Sequence, residues 1–191
     1  MPSGPWLVSR VAEEVAKIKG LPVDEVMYQI SANTCRALRP GVGMRVERFS
    51  VEVEGVQVVG VLHLPASGRV ACVVACHGMG ACKDSDKYLL LGREFPEAGL
   101  RLARFDFRGS GESGGLYRNA TIASRIADLE AVLAHLKDHE ALDGRFGLLG
   151  SSLGGFIALW VASRRGSVIP VVTWNAPASL AELWRTPDPT T

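Results

Sequence analysis

The stretch from Arg145 to Arg165, RFGLLGSSLGGFIALWVASRR, decides the fold of this 191-residue chain. It starts with an apolar run that predicts a short buried strand, and it ends in an apolar run that predicts a helix. Between them lies Gly150-Ser151-Ser152-Leu153-Gly154, which matches the pattern G-x-S-x-G. The two glycines allow strand and helix to pass closely at a sharp turn. Ser152 is therefore predicted at the N-terminus of a helix, where free backbone N–H groups favour a developing oxyanion.

The same five-residue pattern occurs a second time, around Ser113. The residues after Ser113 open no helix at once, whereas those after Ser152 form a convincing buried helix. The sequence context therefore selects Ser152 as the candidate nucleophile. The glycines at 109, 111 and 114 also resemble a dinucleotide-binding fingerprint, but that motif requires a helix to begin within the glycines. Here the next helix is predicted only from about Thr121, which disfavours nucleotide binding.

Composition limits the classes of partner. The chain is 47% hydrophobic and 21% charged, with a net charge of +1, so a basic patch for nucleic acid or for an acidic membrane is not indicated. Apolar runs such as Val70–Cys76 are far shorter than a membrane span. The first residues lack the charged and apolar regions of a secretory signal. We expect a cytoplasmic protein with no nucleic-acid or membrane partner; the sequence does not predict its oligomeric state.

Four cysteines raise the question of a disulfide or a metal site: Cys35, Cys72, Cys76 and Cys82. Cys72 and Cys76 lie four residues apart on a predicted strand, hence ~13 Å apart, which is beyond bridging distance. A zinc site that combines Cys72, Cys76 and Cys82 with His77 lacks any C-x-x-C pair. Reduced, buried cysteines are the expectation, and no metal or other cofactor is predicted.

The pattern of apolar residues changes along the chain. Val11, Val15 and Ile18 recur at helical spacing up to Gly20, and a second helix is predicted from Asp24. From about residue 43 the pattern becomes that of strands alternating with helices, which predicts a largely parallel sheet with an antiparallel hairpin leading in. We therefore expect an N-terminal helical hairpin over residues 1–42 and an α/β domain over residues 43–191.

The second part resembles a known superfamily. The stretch HGMGACKDSDKYLLLGREFPEAGLRLARFDFRGSGESGG, followed by GLLGSSLGG, is similar to the α/β-hydrolases over residues 46–184. Within that superfamily the serine aminopeptidase-like and cinnamoyl-esterase-like hydrolases are the most similar. The resemblance implies an α/β-hydrolase fold, a mostly parallel sheet with helices on both faces. It also implies a serine hydrolase that acts on an ester or related acyl bond of a small-molecule substrate.

The resemblance assigns roles by position. Ser152 is implied as the nucleophile that forms an acyl-enzyme, and the backbone N–H groups of Met79 and Leu153 as the oxyanion hole. Four further residues are implied in a supporting role, with His77 ordering its loop rather than acting as a base: His77, Gly78, Gly150 and Gly154. Asp106 and Arg108 resemble the D-x-R-G-x-G-x-S turn that braces such sites, with an exposed ion pair as the alternative.

The catalytic triad is the part that the sequence does not supply. In this fold the order along the chain is serine, acid, histidine. All four histidines precede Ser152, and the later acids in the sequence are Glu182 and Asp188. We therefore expect a hydrolase that is truncated before its last strands, which would leave Trp160 and Trp174 exposed. The alternative is a catalytically inactive binding or scaffold protein that keeps the serine turn as architecture.

The N-terminal segment resembles a different family. Residues 7–40 are similar to the C-terminal tail of TatD-type metal-dependent deoxyribonucleases, in which a helix pair ends in an asparagine-containing helix, here around Asn33. None of that family's metal ligands lies within the segment. A plain helical hairpin is the preferred interpretation.

Overall fold

The computed structural model describes residues 6–26, 44–65, 68 and 70–179. The chain divides into two compact units, Met1–Pro40 and Gly41–Thr191. In the first unit, helix α1 (Trp6–Lys19) buries Ala12 and Ala16 in a small cluster with Val26. Ile18, expected on the apolar stripe, is 83% exposed and does not join this cluster. Most of the predicted second helix, with Asn33 and Cys35, lies outside the described residues.

The second unit is built on a six-stranded sheet, in the order β1-β2-β4-β3-β5-β6 among the described residues. The strands are β1 (Arg45–Val53), β2 (Val56–Leu64), β3 (Val70–Cys76), β4 (Arg101–Phe105), β5 (Leu142–Ser151) and β6 (Val171–Trp174). The helices are α2 (Asp86–Glu97), α3 (Ile122–Lys137) and α4 (Leu153–Ser163), with a short 3-10 helix at Tyr117–Asn119. Strands β1, β2 and β4 are antiparallel neighbours, whereas β4, β3, β5 and β6 run parallel.

The predicted hairpin is present between β1 and β2. Glu54 and Gly55 both have positive φ angles, 51° and 77°, and Val53 pairs with Val56 across them. Two consecutive positive φ angles are typical of the primed two-residue turns whose twist matches that of the flanking strands. The turn thus fixes the register of the first two strands.

Helices pack on both faces of the sheet. Side chains alternate between the faces along a strand, so Val74 of β3 joins the main core, whereas the next residue, Ala75, joins a smaller cluster with Tyr88 of α2. The main core contains side chains from α3 and α4, including Leu129 and Ile157. Helix α3 begins at a capping box formed by Thr121 and Ser124, close to its predicted start.

The carboxyl ends of the parallel strands meet at one edge of the sheet. Cys76 at the end of β3 lies beside Gly150, and Ser151 at the end of β5 lies beside Trp174. Ligands of open α/β sheets bind outside this edge. Strand β6 pairs only with β5 in the described part of the chain, and the side chains of Trp160 and Trp174 are 39% and 41% exposed, as expected.

A buried histidine of β2, His63, contacts both β4 and α2. The His63 Nε2 atom accepts a hydrogen bond of 2.8 Å from Arg104 Nε, and the ring lies against Gly92. Burial, with a smaller contribution from the Arg104 charge, lowers the pKa of His63 to about 4. The neutral form is therefore the one that the fold accommodates.

Protonation of His63 should destabilise the fold in mild acid. The pKa is lower in the folded state than the unfolded value of about 6.5, so the unfolded chain binds more protons between those values and the free energy of unfolding falls as pH decreases. Between about pH 7.5 and about pH 5 we expect a loss of about 1 to 2 kcal/mol from this residue. Urea denaturation of the wild type and of His63→Gln at both pH values measures it. An equal pH dependence in the two proteins would contradict the prediction.

Candidate active site

Ser152 occupies the junction between β5 and α4. The strand ends at Ser151 and the helix begins at Leu153, so the predicted strand and helix are present on either side. Ser152 has φ 51° and ψ −125°, a backbone conformation that residues other than glycine rarely adopt and that costs roughly 1–3 kcal/mol. The Ser152 side chain is exposed, and its N–H donates a 2.8 Å hydrogen bond to the Trp174 carbonyl. The strained turn therefore presents a hydroxyl to solvent at the ligand-binding edge of the sheet.

Three glycines allow the close contacts around this turn. A Cβ atom on Gly150 would lie 2.4 Å from Gly155 Cα, and one on Gly154 would lie 2.3 Å from the Cys76 carbonyl oxygen. At Gly155 the nearest atom would be Ala176 Cβ, at 2.7 Å. Two of these contacts are with backbone atoms, which could move aside only if the main chain shifted. The glycines of the G-x-S-x-G pattern thus allow β5, α4 and the end of β3 to lie in close contact.

The loop after β3 also approaches Ser152. A Cβ atom on Gly78 would lie 3.2 Å from Ser152 Cβ, so the backbone that leads to Met79 passes next to the serine. Neither the Met79 N–H nor the Leu153 N–H donates a hydrogen bond to any acceptor among the described residues. Two unused backbone donors near one hydroxyl are what the stabilisation of a tetrahedral oxyanion requires.

His77 is held by the backbone on both sides of its ring. Its Nε2 atom accepts a 3.0 Å hydrogen bond from the Phe107 N–H, so the proton is on Nδ1, which donates at 2.9 Å to the Gly78 carbonyl. Burial lowers the pKa of His77, which keeps the ring neutral. This geometry favours the loop-ordering role expected for His77 and leaves no ring nitrogen to act as a base.

Asp106 lies fully buried at the end of β4 and connects two loops. Its carboxylate accepts hydrogen bonds from the Lys83 N–H at 2.6 Å and from the Glu112 N–H at 2.9 Å. The Lys83 ammonium lies 3.1 Å from the same carboxylate. Burial lowers the pKa of Lys83, but the hydrogen bonds to Asp84, Glu112 and Asp106 outweigh it and the pKa is raised. Lys83 is therefore charged, and the pair fixes the loops on both sides of Asp106.

The alternative of an exposed Asp106–Arg108 ion pair is wrong. Asp106 is buried and pairs with Lys83, whereas the Arg108 guanidinium contacts the buried Asp128 at 2.7 Å and Glu54 at 2.8 Å. The strand ends at Phe105, and the chain turns between Phe107 and Ser110, so Asp106 and Arg108 meet different elements. Both residues are bracing elements of the fold.

The second G-x-S-x-G pattern has a structural explanation. The Ser113 hydroxyl donates at 2.6 Å to the Asp106 carbonyl and accepts at 2.8 Å from the Val59 N–H, and the residue is 9% exposed. No helix begins within the glycines around it, as expected. Gly111, with φ 50°, lies against the Asp106 carboxylate, so this glycine serves the contact with Asp106.

The remaining histidines lie away from Ser152. His63 bonds to Arg104, the His135 ring stacks on Phe49 at 5.5 Å, and His139 Nε2 lies 3.0 Å from Glu47. None of the four histidines hydrogen-bonds to Ser152 within the described part of the chain. The described part of the chain contains no group of three or more His, Cys, Asp and Glu side chains placed to hold a metal ion.

The described cysteines are free thiols. Cys72 and Cys76 are buried and Cys82 is half-buried. Burial raises the pKa of the Cys72 thiol to about 12 and also raises that of Cys76, so both are protonated, unreactive core residues.

Sequence reasoning missed one charged residue at this edge of the sheet. The Lys87 ammonium of α2 donates a 2.7 Å hydrogen bond to the Ser151 hydroxyl and lies 5.8 Å from the centre of the Trp174 ring. Lys87 and Ser151 are 64 residues apart in the chain, and no local pattern distinguishes Lys87 from an ordinary surface lysine in a helix. Only the packing of α2 on the face of the sheet brings them together.

Comparison with protein families identifies the second unit. The family model described as Hydrolase_4, serine aminopeptidase S33, matches residues 68–184, which is more than half of the chain. The chain belongs to this α/β-hydrolase family. The resemblance inferred from the motifs is thereby confirmed, and the described sheet with helices on both faces is that of an α/β-hydrolase.

Solved structures of other hydrolases agree with the assignment. An esterase from Pyrococcus furiosus is 26% identical and superposes with a TM-score of 0.61, covering 72% of this chain and 55% of its own. The esterase Est1E from Butyrivibrio proteoclasticus, solved with ferulic acid, is 19% identical with a TM-score of 0.60, covering 63% of this chain and 49% of its own, and it supports the fold alone. The chain thus spans about half the length of these solved hydrolases.

One curated relative has no described activity. It is an uncharacterised 31.7 kDa protein from Escherichia coli, encoded between traX and finO, and it is 34% identical over 87 residues. The match covers 44% of this chain and 29% of the relative.

The resemblance of residues 7–40 to TatD-type nucleases stays a prediction. No helix among the described residues combines the length and apolarity that crossing a membrane requires.

The glycine packing at the serine turn can be tested by two substitutions in the same strand. We expect Gly150→Ala to lower the free energy of unfolding by about 1–3 kcal/mol or more, because its Cβ would overlap the backbone of α4. The control is Gly147→Ala, whose Cβ would meet its nearest neighbour at an ordinary 3.6 Å and should change stability by less than about 1 kcal/mol. Chemical denaturation measures both. Equal effects of the two substitutions would show that the close approach at residue 150 is not the constraint.

Proposed function

We propose that this chain carries the nucleophile of a serine hydrolase that cleaves a carboxylic ester or related acyl bond through an acyl-enzyme on Ser152. The observation that supports this most is the exposed hydroxyl on a backbone of φ 51° at the start of α4, with two unused N–H groups beside it. A strained residue that the surrounding packing maintains is a frequent feature of catalytic sites. Membership of a hydrolase family adds to this interpretation.

The proposed reaction begins with attack of Ser152 Oγ on the substrate carbonyl carbon. The hydroxyl proton passes to a general base, and the N–H groups of Met79 and Leu153 stabilise the negative charge on the carbonyl oxygen. Collapse of the tetrahedral intermediate breaks the bond to the leaving alcohol or amine, which takes up the proton, and leaves an acyl-serine. Attack by water then releases the acid and regenerates the serine. His77, Gly78, Gly150 and Gly154 maintain the positions of these groups without reacting.

The four histidines, His63, His77, His135 and His139, all have contacts with groups other than Ser152. This observation favours a second candidate function, a binding or scaffold protein that retains the hydrolase architecture without turnover. The two candidates differ in whether Ser152 reacts covalently.

Esterases among the solved structures, including the one 26% identical, support an ester substrate, whereas the name of the family suggests an amide.

The organisation of the whole chain is also a proposal. We propose that residues 1–42 form a helical segment separate from the α/β-hydrolase part at 43–191, which the division into compact units at Pro40 supports. We further propose a small-molecule substrate and a cytoplasmic location. The esterases among the solved structures support the small-molecule substrate.

Covalent labelling distinguishes the two candidate functions. An alkyl fluorophosphonate forms a stable adduct only with an activated serine, so intact mass and peptide mapping should identify one adduct, on Ser152. In Ser152→Ala labelling should fall to background, a decrease of at least about 100-fold, since the nucleophile itself is removed. The control is Ser163→Ala at the exposed end of α4, which should label like the wild type. An unlabelled Ser152 in the folded wild type would favour the scaffold function and overturn the hydrolase proposal.

A further inference from the structure

Hydrogen bonds tie the first turn of α2 to the carboxyl ends of two strands. The Lys87 ammonium donates to the Ser151 hydroxyl of β5 at 2.7 Å, and the Tyr88 hydroxyl donates to the Cys76 carbonyl of β3 at 3.0 Å. Burial raises the pKa of Tyr88, so its proton stays available for its bond to Cys76. The bond to Ser151 fixes the Lys87 head group at this edge of the sheet.

The charge of Lys87 has no counterpart in the described part of the chain. No Asp or Glu carboxylate there lies within ion-pair distance of the Lys87 ammonium, although several other lysines and arginines are paired. The residue is only half-exposed, and its other near neighbours are the faces of Tyr88 and Trp174, at 5.1 Å and 5.8 Å. Lys87 also lies in the first turn of α2, where the helix dipole disfavours a cation.

The unpaired cation is next to the candidate nucleophile. Its hydrogen-bond partner, Ser151, directly precedes Ser152, and its aromatic neighbour, Trp174, accepts the hydrogen bond of the Ser152 N–H. The residue before Ser152 and the residue that accepts its N–H are therefore both neighbours of Lys87. An ammonium has three donors, and Ser151 uses one of them.

The geometry points to a carboxylate-binding subsite formed by the Lys87 ammonium beside the Trp174 ring, so that the substrates of the proposed hydrolase are esters or amides whose acyl part carries an anionic group. The inference rests on the proposed function, because it takes Ser152 as the reacting residue. Lys87 supplies recognition and not proton transfer, since an ammonium that donates to Ser151 has no lone pair to accept a proton. A carboxylate there satisfies the two remaining donors and the unpaired charge.

Binding without turnover tests the subsite. In the Ser152→Ala protein, the affinities of butyramide and of glutaramic acid, the same chain extended by a carboxylate, are measured by NMR titration. We expect glutaramate to bind about 10- to 100-fold more tightly, the range of a charge-assisted hydrogen bond. Lys87→Met, which keeps the length of the side chain but not its charge, should reduce this ratio to about one. Lys87→Arg should keep most of it, and Lys137→Met, at the exposed end of α3, should leave it unchanged.

Two results would overturn the subsite: no preference for glutaramate in Ser152→Ala, or a preference that survives Lys87→Met. A preference that is lost in Lys137→Met as well would indicate a general charge effect and would count against it. Since the titration requires no reaction, its result is independent of whether Ser152 reacts with the fluorophosphonate. If Ser152 is labelled but glutaramate is not preferred, only the subsite is refuted. If glutaramate is preferred but Ser152 is not labelled, only the hydrolase function is refuted.

Discussion

The candidate site depends on how closely β5 and α4 approach each other at the serine turn. Gly150 abuts the backbone of Gly155, and Gly154 abuts the carbonyls at the end of β3. Any side chain at these positions would separate three elements at once. The same contact therefore sets the backbone of Ser152, the start of the helix and the position of the loop that carries Met79. A single steric requirement places the hydroxyl and both backbone donors.

Electrostatic contacts fix the loops around that turn. Asp106 is buried, yet it binds the backbone of Lys83 on one side and of Glu112 on the other, with the Lys83 ammonium balancing its charge. A buried ion pair contributes little net stability, because desolvation of the charges offsets their attraction. Its effect here is on position: the loop after β3 and the glycine-rich turn after β4 are both tied to one carboxylate. The D-x-R-G-x-G-x-S motif thus serves geometry, with Ser113 completing it.

The sequence predicts those features that depend on local pattern. The alternation of β1 and β2 around Glu54-Gly55, the apolar run of β3 and the strand–serine–helix order at Ser152 follow from periodicity and from glycine positions, and all are present. Contacts between residues that are distant in the sequence were either missed or predicted wrongly. Asp106 and Arg108 have different partners, and the Lys87–Ser151 bond joins residues far apart in the chain. Pairings of charged side chains depend on which loops meet, and no short window of sequence carries that information.

The groups that surround Ser152 share one electrostatic character. The N–H groups of Met79 and Leu153, the N-terminus of α4 and the Lys87 ammonium all attract negative charge. The histidine that lies nearest in the chain to Met79, His77, is fixed as a neutral ring with both nitrogens bonded to the backbone. In the proposed serine hydrolase, this shared character would stabilise a developing oxyanion. Proton transfer is a separate task, and none of the four histidines hydrogen-bonds to Ser152 in the described part of the chain.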